Sequence, residues 1–123
     1  MIRIDFAGGV IDSIERFQQK MITSFEATQH RLNLDCELFL SQGNPAGCFE
    51  RLIHKAREHY GQKVVILIDE YDKPILDQID NLEVAHQIRE GLKDLYSVTK
   101  AEDEHIQFVL MTGVSKFSKV SLF

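Results

Sequence analysis

The chain has 123 residues, of which 44% are hydrophobic and 27% charged, and its 14 Lys and Arg against 19 Asp and Glu give a net charge of −5. This is the composition of one ordinary globular unit, which excludes intrinsic disorder, a collagen-like repeat and a cysteine-dense disulfide scaffold. The acidic balance also argues against a protein held on nucleic acid or anionic lipid by its overall charge, because such binding needs a basic surface.

The first third of the chain predicts a strand followed by a helix. Residues 1–6 are rich in Ile and Phe and are followed by glycines, which is typical of a short strand. A helix is indicated from Ile11 onwards, with Asp12 and Glu15 at capping-box spacing. Its apolar positions recur at helical intervals: Ile14, Phe17, Met21 and Phe25. In residues 32–40, Leu and Cys alternate with other residues, which favours an extended segment.

The middle of the chain predicts a second helix and a buried strand. Asn44 is suited to the helix N-cap, Pro45 to the first helical position and Gly61 to the C-terminal stop. Residues 63–69 contain five consecutive apolar residues without alternation. That pattern is typical of a parallel strand covered on both faces.

The last third predicts a third helix and a third strand. Apolar residues recur at helical spacing in residues 84–99, and residues 106–112 form a strand that is nearly as apolar as the second. Strands alternating with helices predict an α/β fold, a partial three-layer arrangement in which about three parallel strands are flanked by helices on both faces. The chain starts within a strand and stops without a closing element, so we expect residues 1–123 to be the central fragment of a larger domain.

The cysteines and histidines give no metal motif. Cys36 and Cys48 stand twelve positions apart without a Cys-x-x-Cys pair or paired histidines, so they are interpreted as reduced thiols. The five histidines lie in polar stretches and are interpreted as ordinary surface residues: His30, His54, His59, His86 and His105. Since neither a membrane span nor a signal peptide is indicated, the expected location is the cytoplasm.

Polar residues gather where the predicted strands end. They are Asp5, then Asp69 and Glu70, then Thr112 and Lys116. Because the carboxyl ends of parallel strands form one rim, where ligands collect, we expect these residues to lie close together. A carboxylate fixed by a rigid strand can hold magnesium and the next can polarise water, which would make Asp69 the metal residue and Glu70 the base. A strand leaving the core also meets polar residues by chance, and that alternative stays open for each residue taken singly.

Two strings around this rim are more specific: VVILIDEYDKPILD at residues 64–77 and FVLMTGVSKFSKVSLF at residues 108–123. They resemble the AAA-ATPase-like family of bacterial P-loop NTPases, in which similar strings form the Walker B strand and the sensor strand. Residues 2–6 resemble the strand that precedes them, so the resemblance covers nearly the whole chain. Family members often carry a restriction-type nuclease-like domain downstream, which makes such a domain an expected partner.

The resemblance implies an ATP-binding and ATP-hydrolysing protein with Mg²⁺ and ATP as cofactors. It places Asp69 on magnesium, Glu70 as catalytic base and Thr112 at the sensor position that reads the γ-phosphate. Asp69 and Thr112 are thus the expected cofactor-binding residues. Other residues belong to the family signature without an assigned role, although Pro74 is expected to shape a turn: Tyr71, Asp72, Lys73, Pro74, Ser115 and Lys116.

The sequence departs from the family pattern at the phosphate-binding loop. Gly-x-x-x-x-Gly-Lys-Ser/Thr is absent, since Gly8-Gly9 has no following lysine and Gly47 leads into Cys48. We expect that loop to precede residue 1 and the final strand to follow residue 123, so ATP binding by the isolated chain is expected to be weak.

One alternative function is that of a degenerate, non-catalytic interaction module that retains the α/β fold. A phosphoacceptor receiver module is disfavoured because it needs five strand–helix units and a carboxylate pair at its first strand.

The resemblance also orders the strands. Residues 63–69 are expected to lie between the other two strands, all parallel. The outer edge of residues 106–112 is expected to be unpaired and apolar, and such an edge promotes self-association.

Overall fold

The computed structural model describes residues 1–113. This part of the chain contains, in order, β1 (Ile2–Asp5), α1 (Ile14–Leu32), α2 (Glu37–Ser41), α3 (Pro45–Tyr60), β2 (Val64–Asp69), α4 (Lys73–Leu76), α5 (Leu82–Ala101), a 3₁₀ turn (Asp103–His105) and β3 (Ile106–Met111). None of these helices is long and apolar enough to span a lipid bilayer.

The three strands form one parallel sheet in the order β1-β2-β3, which confirms the predicted central position of the second strand. Parallel pairing requires a long crossover between neighbouring strands. α1 to α3 lie in the connection from β1 to β2, and α4 and α5 in that from β2 to β3. The register aligns Asp5 with Asp69, so the two carboxylates sit at the same level on adjacent strands.

The core lies on one face of this sheet. Alternate strand residues are buried there: Ile2, Ile4, Val64, Ile66, Ile68 and Ile106. They join a single hydrophobic cluster with α1, α3 and α5, to which these helices contribute, among others, Phe17, Phe25, Phe49, Leu52, Ile88 and Leu92. Removing water from these side chains is the main favourable term of folding, at roughly 1.5–3 kcal/mol for each large apolar side chain fully buried.

The other face is more open than the sequence predicts. Phe108 and Leu110 are 54% and 53% exposed, and their register partners Val65 and Leu67 are only partly buried. The parallel α/β class is confirmed, but among residues 1–113 the helices cover one face. The apolar run at β2 predicts burial on both faces, whereas one face of this strand, with Val65 and Leu67, is only partly buried.

The helix ends follow capping rules, with one correction. Asn44 caps α3 by accepting the Gly47 N–H at 3.0 Å, and Gly61 ends that helix at φ 65°, as predicted. At α1 the N-cap is Ser13, whose hydroxyl accepts the Arg16 N–H at 3.1 Å. Asp12, which the capping-box spacing suggested, instead pairs with Arg16 across one helical turn at 3.3 Å.

The segment at residues 32–40 is helical rather than extended. Asn33 adopts a left-handed conformation at φ 54° and ends α1, and the Asp35 carboxylate accepts the Glu37 N–H at 2.9 Å to start α2. This reversal brings Cys36 to Cys48 on α3, where the two form a disulfide with Cα atoms 5.0 Å apart. The interpretation as reduced thiols is therefore wrong. Their sequence spacing carries no signal because the turn between α1 and α3 creates the proximity.

Candidate functional site

The polar strand ends meet at one rim, as the sequence predicts. Asp5 and Asp69 are register partners on β1 and β2. The Thr112 N–H, just beyond β3, donates to the Ile68 carbonyl at 3.0 Å. Three separate parts of the chain are thus held at this rim by backbone pairing, so its geometry depends on the sheet itself.

The Thr112 hydroxyl lies at the centre of the rim. It donates to Asp69 Oδ1 at 2.5 Å and accepts the Glu70 N–H at 2.9 Å. The Thr112 carbonyl accepts the Tyr71 N–H at 3.0 Å. Counting its own N–H, Thr112 makes four hydrogen bonds to residues 68–71, and it therefore fixes the end of β2 and the turn that follows.

Glu70 has an unusual backbone conformation. Its φ is 54°, and Asn33 is the other non-glycine residue with positive φ among residues 1–113. A left-handed conformation costs an ordinary side chain about 1–2 kcal/mol. The surrounding contacts offset this cost, since the Thr112 hydroxyl binds the Glu70 N–H and the Glu70 carbonyl accepts the Lys73 N–H at 3.1 Å. Strained residues of this kind cluster at functional sites.

Arg3 is a rim residue that the sequence reasoning missed. Its Nη2 lies 2.7 Å from Asp69 Oδ2 and 3.4 Å from Asp5 Oδ2, so one guanidinium bridges both carboxylates. Strand alternation places Arg3 and Asp5 on the same face of β1. That signal was present in the sequence, and it becomes informative once the register between β1 and β2 is known.

The electrostatics of the rim follow from these contacts. The hydrogen bond from Thr112, and then that from Arg3, lowers the pKa of Asp69 below its usual value. The same Asp69 contact, with the charge of Asp5, raises the pKa of Arg3. Asp69 is therefore a carboxylate at neutral pH, although its side chain is 25% exposed and water screens part of the interaction.

The residues after Glu70 have a structural role in this part of the chain. Lys73 Nζ lies 2.5 Å from Asp77 Oδ2 and also donates to the Gly9 carbonyl. Asp77 Oδ2 in turn accepts the Ile11 N–H at 3.1 Å. These contacts fasten the loop after β1 to α4. Pro74 is buried in the first turn of α4, in agreement with its predicted role in shaping the turn.

The remaining signature positions are Tyr71, Asp72, Ser115 and Lys116, and of these Tyr71 is partly buried against the core. Asp72 is fully buried at the start of α4. Ser115 and Lys116, which the sequence placed in the signature of the third strand, lie outside the described residues.

The donor atoms at the rim suit a hard cation. Carboxylates and a hydroxyl are oxygen donors, and magnesium binds oxygen almost exclusively. Thr112 and Arg3 each take one oxygen of Asp69, but a carboxylate oxygen accepts more than one interaction. The oxygen atoms gathered at this rim are therefore of the type that Mg²⁺ prefers.

Comparison with known proteins defines the class. A protein family described as "Predicted AAA-ATPase" has a family model that matches residues 1–123, so the chain belongs to the AAA-ATPase-like family. A relative from Azotobacter chroococcum mcd 1, described as "Uncharacterized protein in vnfD 5'region", is 43% identical over all 123 residues. The chain spans 23% of that relative's length. No solved structure matches the chain.

Proposed function

We propose that this chain carries the Walker B and sensor residues of an ATP-hydrolysing domain. The observation that carries the proposal is the hydrogen-bonded set of the Asp69 carboxylate, the Glu70 N–H and the Thr112 hydroxyl at the rim of a parallel sheet. Membership of a family described as a predicted ATPase supports nucleotide use. Each of the three residues is then assigned a separate task.

Asp69 holds Mg²⁺ because it is ionised and fixed at the end of β2. Glu70 is the general base that accepts a proton from the attacking water. Thr112 is the sensor, since a hydroxyl can donate to a phosphate oxygen. When bound, ATP would supply the reactive γ-phosphoryl group and Mg²⁺ would neutralise part of the charge that develops on it. Arg3 offsets part of the charge of Asp5 and Asp69 and competes with a cation for the same oxygens.

The phosphate-binding loop is proposed to come from outside these 123 residues. The chain contains no Gly-x-x-x-x-Gly-Lys-Ser/Thr string, and it corresponds to 23% of its longer relative. Among residues 1–113, β3 is the outer strand on its side of the sheet, and its Phe108 and Leu110 are more than half exposed. We propose that the strand before the loop pairs with this edge, that the isolated chain self-associates through it, and that a nuclease-like domain lies downstream.

ATP binding and phosphate release test the proposal when they are measured on the full-length gene product and on the 123-residue chain. We expect Mg²⁺-dependent ATP binding by the former alone. Asp69→Asn should weaken that binding at least tenfold, because an amide lacks the anionic oxygen that a hard cation prefers. Asp94→Asn, at an exposed position of α5, is the matched control. Tight Mg²⁺–ATP binding by the 123-residue chain, or wild-type affinity in the Asp69→Asn variant, would contradict the assignment.

A non-catalytic interaction module is the second candidate. The absent loop string and the apolar open face of β2 and β3 favour it. It predicts that the full-length gene product binds no nucleotide at all, whatever residue stands at position 69.

A further inference from the structure

A second cluster of ligand-type side chains lies at the amino end of the sheet, opposite the rim. His54 comes from α3, Glu102 is the C-cap of α5, and His105 ends the 3₁₀ turn that leads into β3. The three residues come from different elements, and His54 is distant from the other two along the sequence. Packing of α3 against this turn is what brings them together.

The geometry is that of a compact ligand set. His54 Nε2 lies 2.6 Å from Glu102 Oε2, and the rings of His54 and His105 have centroids 4.7 Å apart. One ligand atom from each residue lies within 4.8 Å of the other two. Ligand atoms around one tetrahedral zinc ion stand roughly 3.3 Å apart, given bonds of about 2.0–2.2 Å. Small side-chain rotations therefore suffice to close the set around an ion.

The donor types select a particular class of metal. Two imidazoles with one carboxylate favour zinc or a similar transition metal, whereas magnesium and calcium prefer oxygen alone. Three protein ligands also leave a coordination position for water. His54 is the most exposed member, with 52% of its side chain accessible, so an ion can enter from solvent.

The surroundings support a cation. Glu102 ends α5, and a helix C-terminus carries partial negative charge. The Glu102 and His105 side chains are only 15% and 23% exposed, and the His105 N–H donates to the Glu102 carbonyl at 2.9 Å, which holds two ligands in fixed relation. Glu104 Oε1 lies 3.3 Å from His105 Nε2, where it can orient the ring as carboxylates do for metal-bound histidines.

An ordinary ion pair between His54 and Glu102 explains the contact between those two residues, but it does not explain why the His105 ring also lies beside them. We propose that His54, Glu102 and His105 form a zinc site that clips α3 to the turn before β3. This proposal is independent of the nucleotide chemistry at the opposite rim.

The test titrates Zn²⁺ into the untagged, metal-free 123-residue chain in competition with a chromophoric chelator. Reductant is omitted so that Cys36 and Cys48 stay in their disulfide. We expect one equivalent to bind, with affinity at least tenfold weaker in His54→Gln and in His105→Gln. His86→Gln, at an exposed position elsewhere on α5, is the matched control and should bind like wild type.

Thermal unfolding gives a second readout. Zn²⁺ should raise the Tm of wild type and of His86→Gln but not that of the two cluster variants, since a ligand that binds only the native state stabilises it. If a histidine variant fails to fold, Glu102→Gln is used instead, and it must show the same loss of zinc affinity and of the zinc-induced rise in Tm. Asp69→Asn must leave zinc binding unchanged, which separates this site from the rim. Absence of saturable binding, or binding that survives in both histidine variants, would overturn the proposal.

Discussion

The two ends of the sheet are organised in different ways. At the carboxyl end, Asp69 and Thr112 stand at strand termini and are tied to backbone groups of neighbouring strands. At the amino end, His54 and Glu102 come from helices and meet mainly through their side chains. Backbone pairing makes the first arrangement rigid and readable from strand patterns. The second arrangement depends on the packing of α3, but its own side chains, such as the half-exposed His54, can be replaced at little cost to the fold.

The largest effect is expected at the carboxyl end. Glu70→Gln keeps the shape of the side chain but removes the base, so ATP turnover by the full-length gene product should fall about a hundredfold or more. ATP binding should be retained. Glu58→Gln, at an exposed position of α3, should turn over ATP like wild type. Phosphate release at saturating ATP measures the difference, and unchanged turnover in the Glu70→Gln variant would remove Glu70 from the mechanism.

Stability should also be sensitive at this end. Thr112→Val keeps the volume but removes the donor to Asp69 and the acceptor for the Glu70 N–H, which should lower the free energy of unfolding by about 1–3 kcal/mol. Thr23→Val, at an exposed position of α1, should change it by less than about 0.5 kcal/mol. Urea unfolding of the 123-residue chain measures both. Equal effects would mean that the Thr112 contacts do not stabilise the rim.

A smaller effect is expected from acid. The pKa of Asp69 is lowered in the folded state, so its contribution to stability is fully present above the ordinary value of 3.8 and is lost as pH falls through the folded-state pKa. Wild type should therefore lose stability below about pH 4 more steeply than Asp69→Asn does. Arg3→Gln should make this loss smaller, because it raises the folded-state pKa of Asp69 toward the ordinary value and so narrows the pH range of the loss. The measurement is the urea midpoint of unfolding at a series of pH values across this range. Identical profiles of midpoint against pH for wild type and the Asp69→Asn variant would contradict the prediction.

The smallest effect is expected at the amino end. In metal-free protein, His54→Gln should change the free energy of unfolding by less than about 0.5 kcal/mol, because the His54 side chain is half-exposed and glutamine can still donate to Glu102. The same urea experiment applies, with a chelator present. A cost as large as that of Thr112→Val would show that the two ends are equally tied into the fold and would break the comparison.

Much of the carboxyl end could be predicted because the strands and helices are visible as local patterns, and their alternation implies parallel strands. The carboxyl ends of parallel strands form one rim, which was enough to place Asp5, Asp69 and Thr112 together, while the order of the strands came from the family resemblance. The contact of Arg3 with Asp69 was missed because it depends on the register between β1 and β2. The left-handed φ of Glu70 has no signal in a glutamate, since tertiary contacts impose it.

The errors occur where tertiary packing overrides local pattern. Alternation in residues 32–40 favoured an extended segment, yet Asn33 and Asp35 turn the chain into a short helix. The same turn joins two cysteines that sequence spacing left apart. The cluster at His54 was equally invisible, because no spacing rule connects a residue on α3 to a turn that follows α5.

The Thr112 hydroxyl carries a single proton. In the described structure that proton is donated to Asp69, while the oxygen accepts from the Glu70 backbone. A second acceptor, such as a phosphate oxygen, can receive it only if Asp69 gives it up. Asp69 would then lose a hydrogen bond that stabilises its charged form, and its pKa would rise when the new acceptor binds Thr112. Binding of a ligand to Thr112 and the proton affinity of Asp69 are therefore coupled through this one proton.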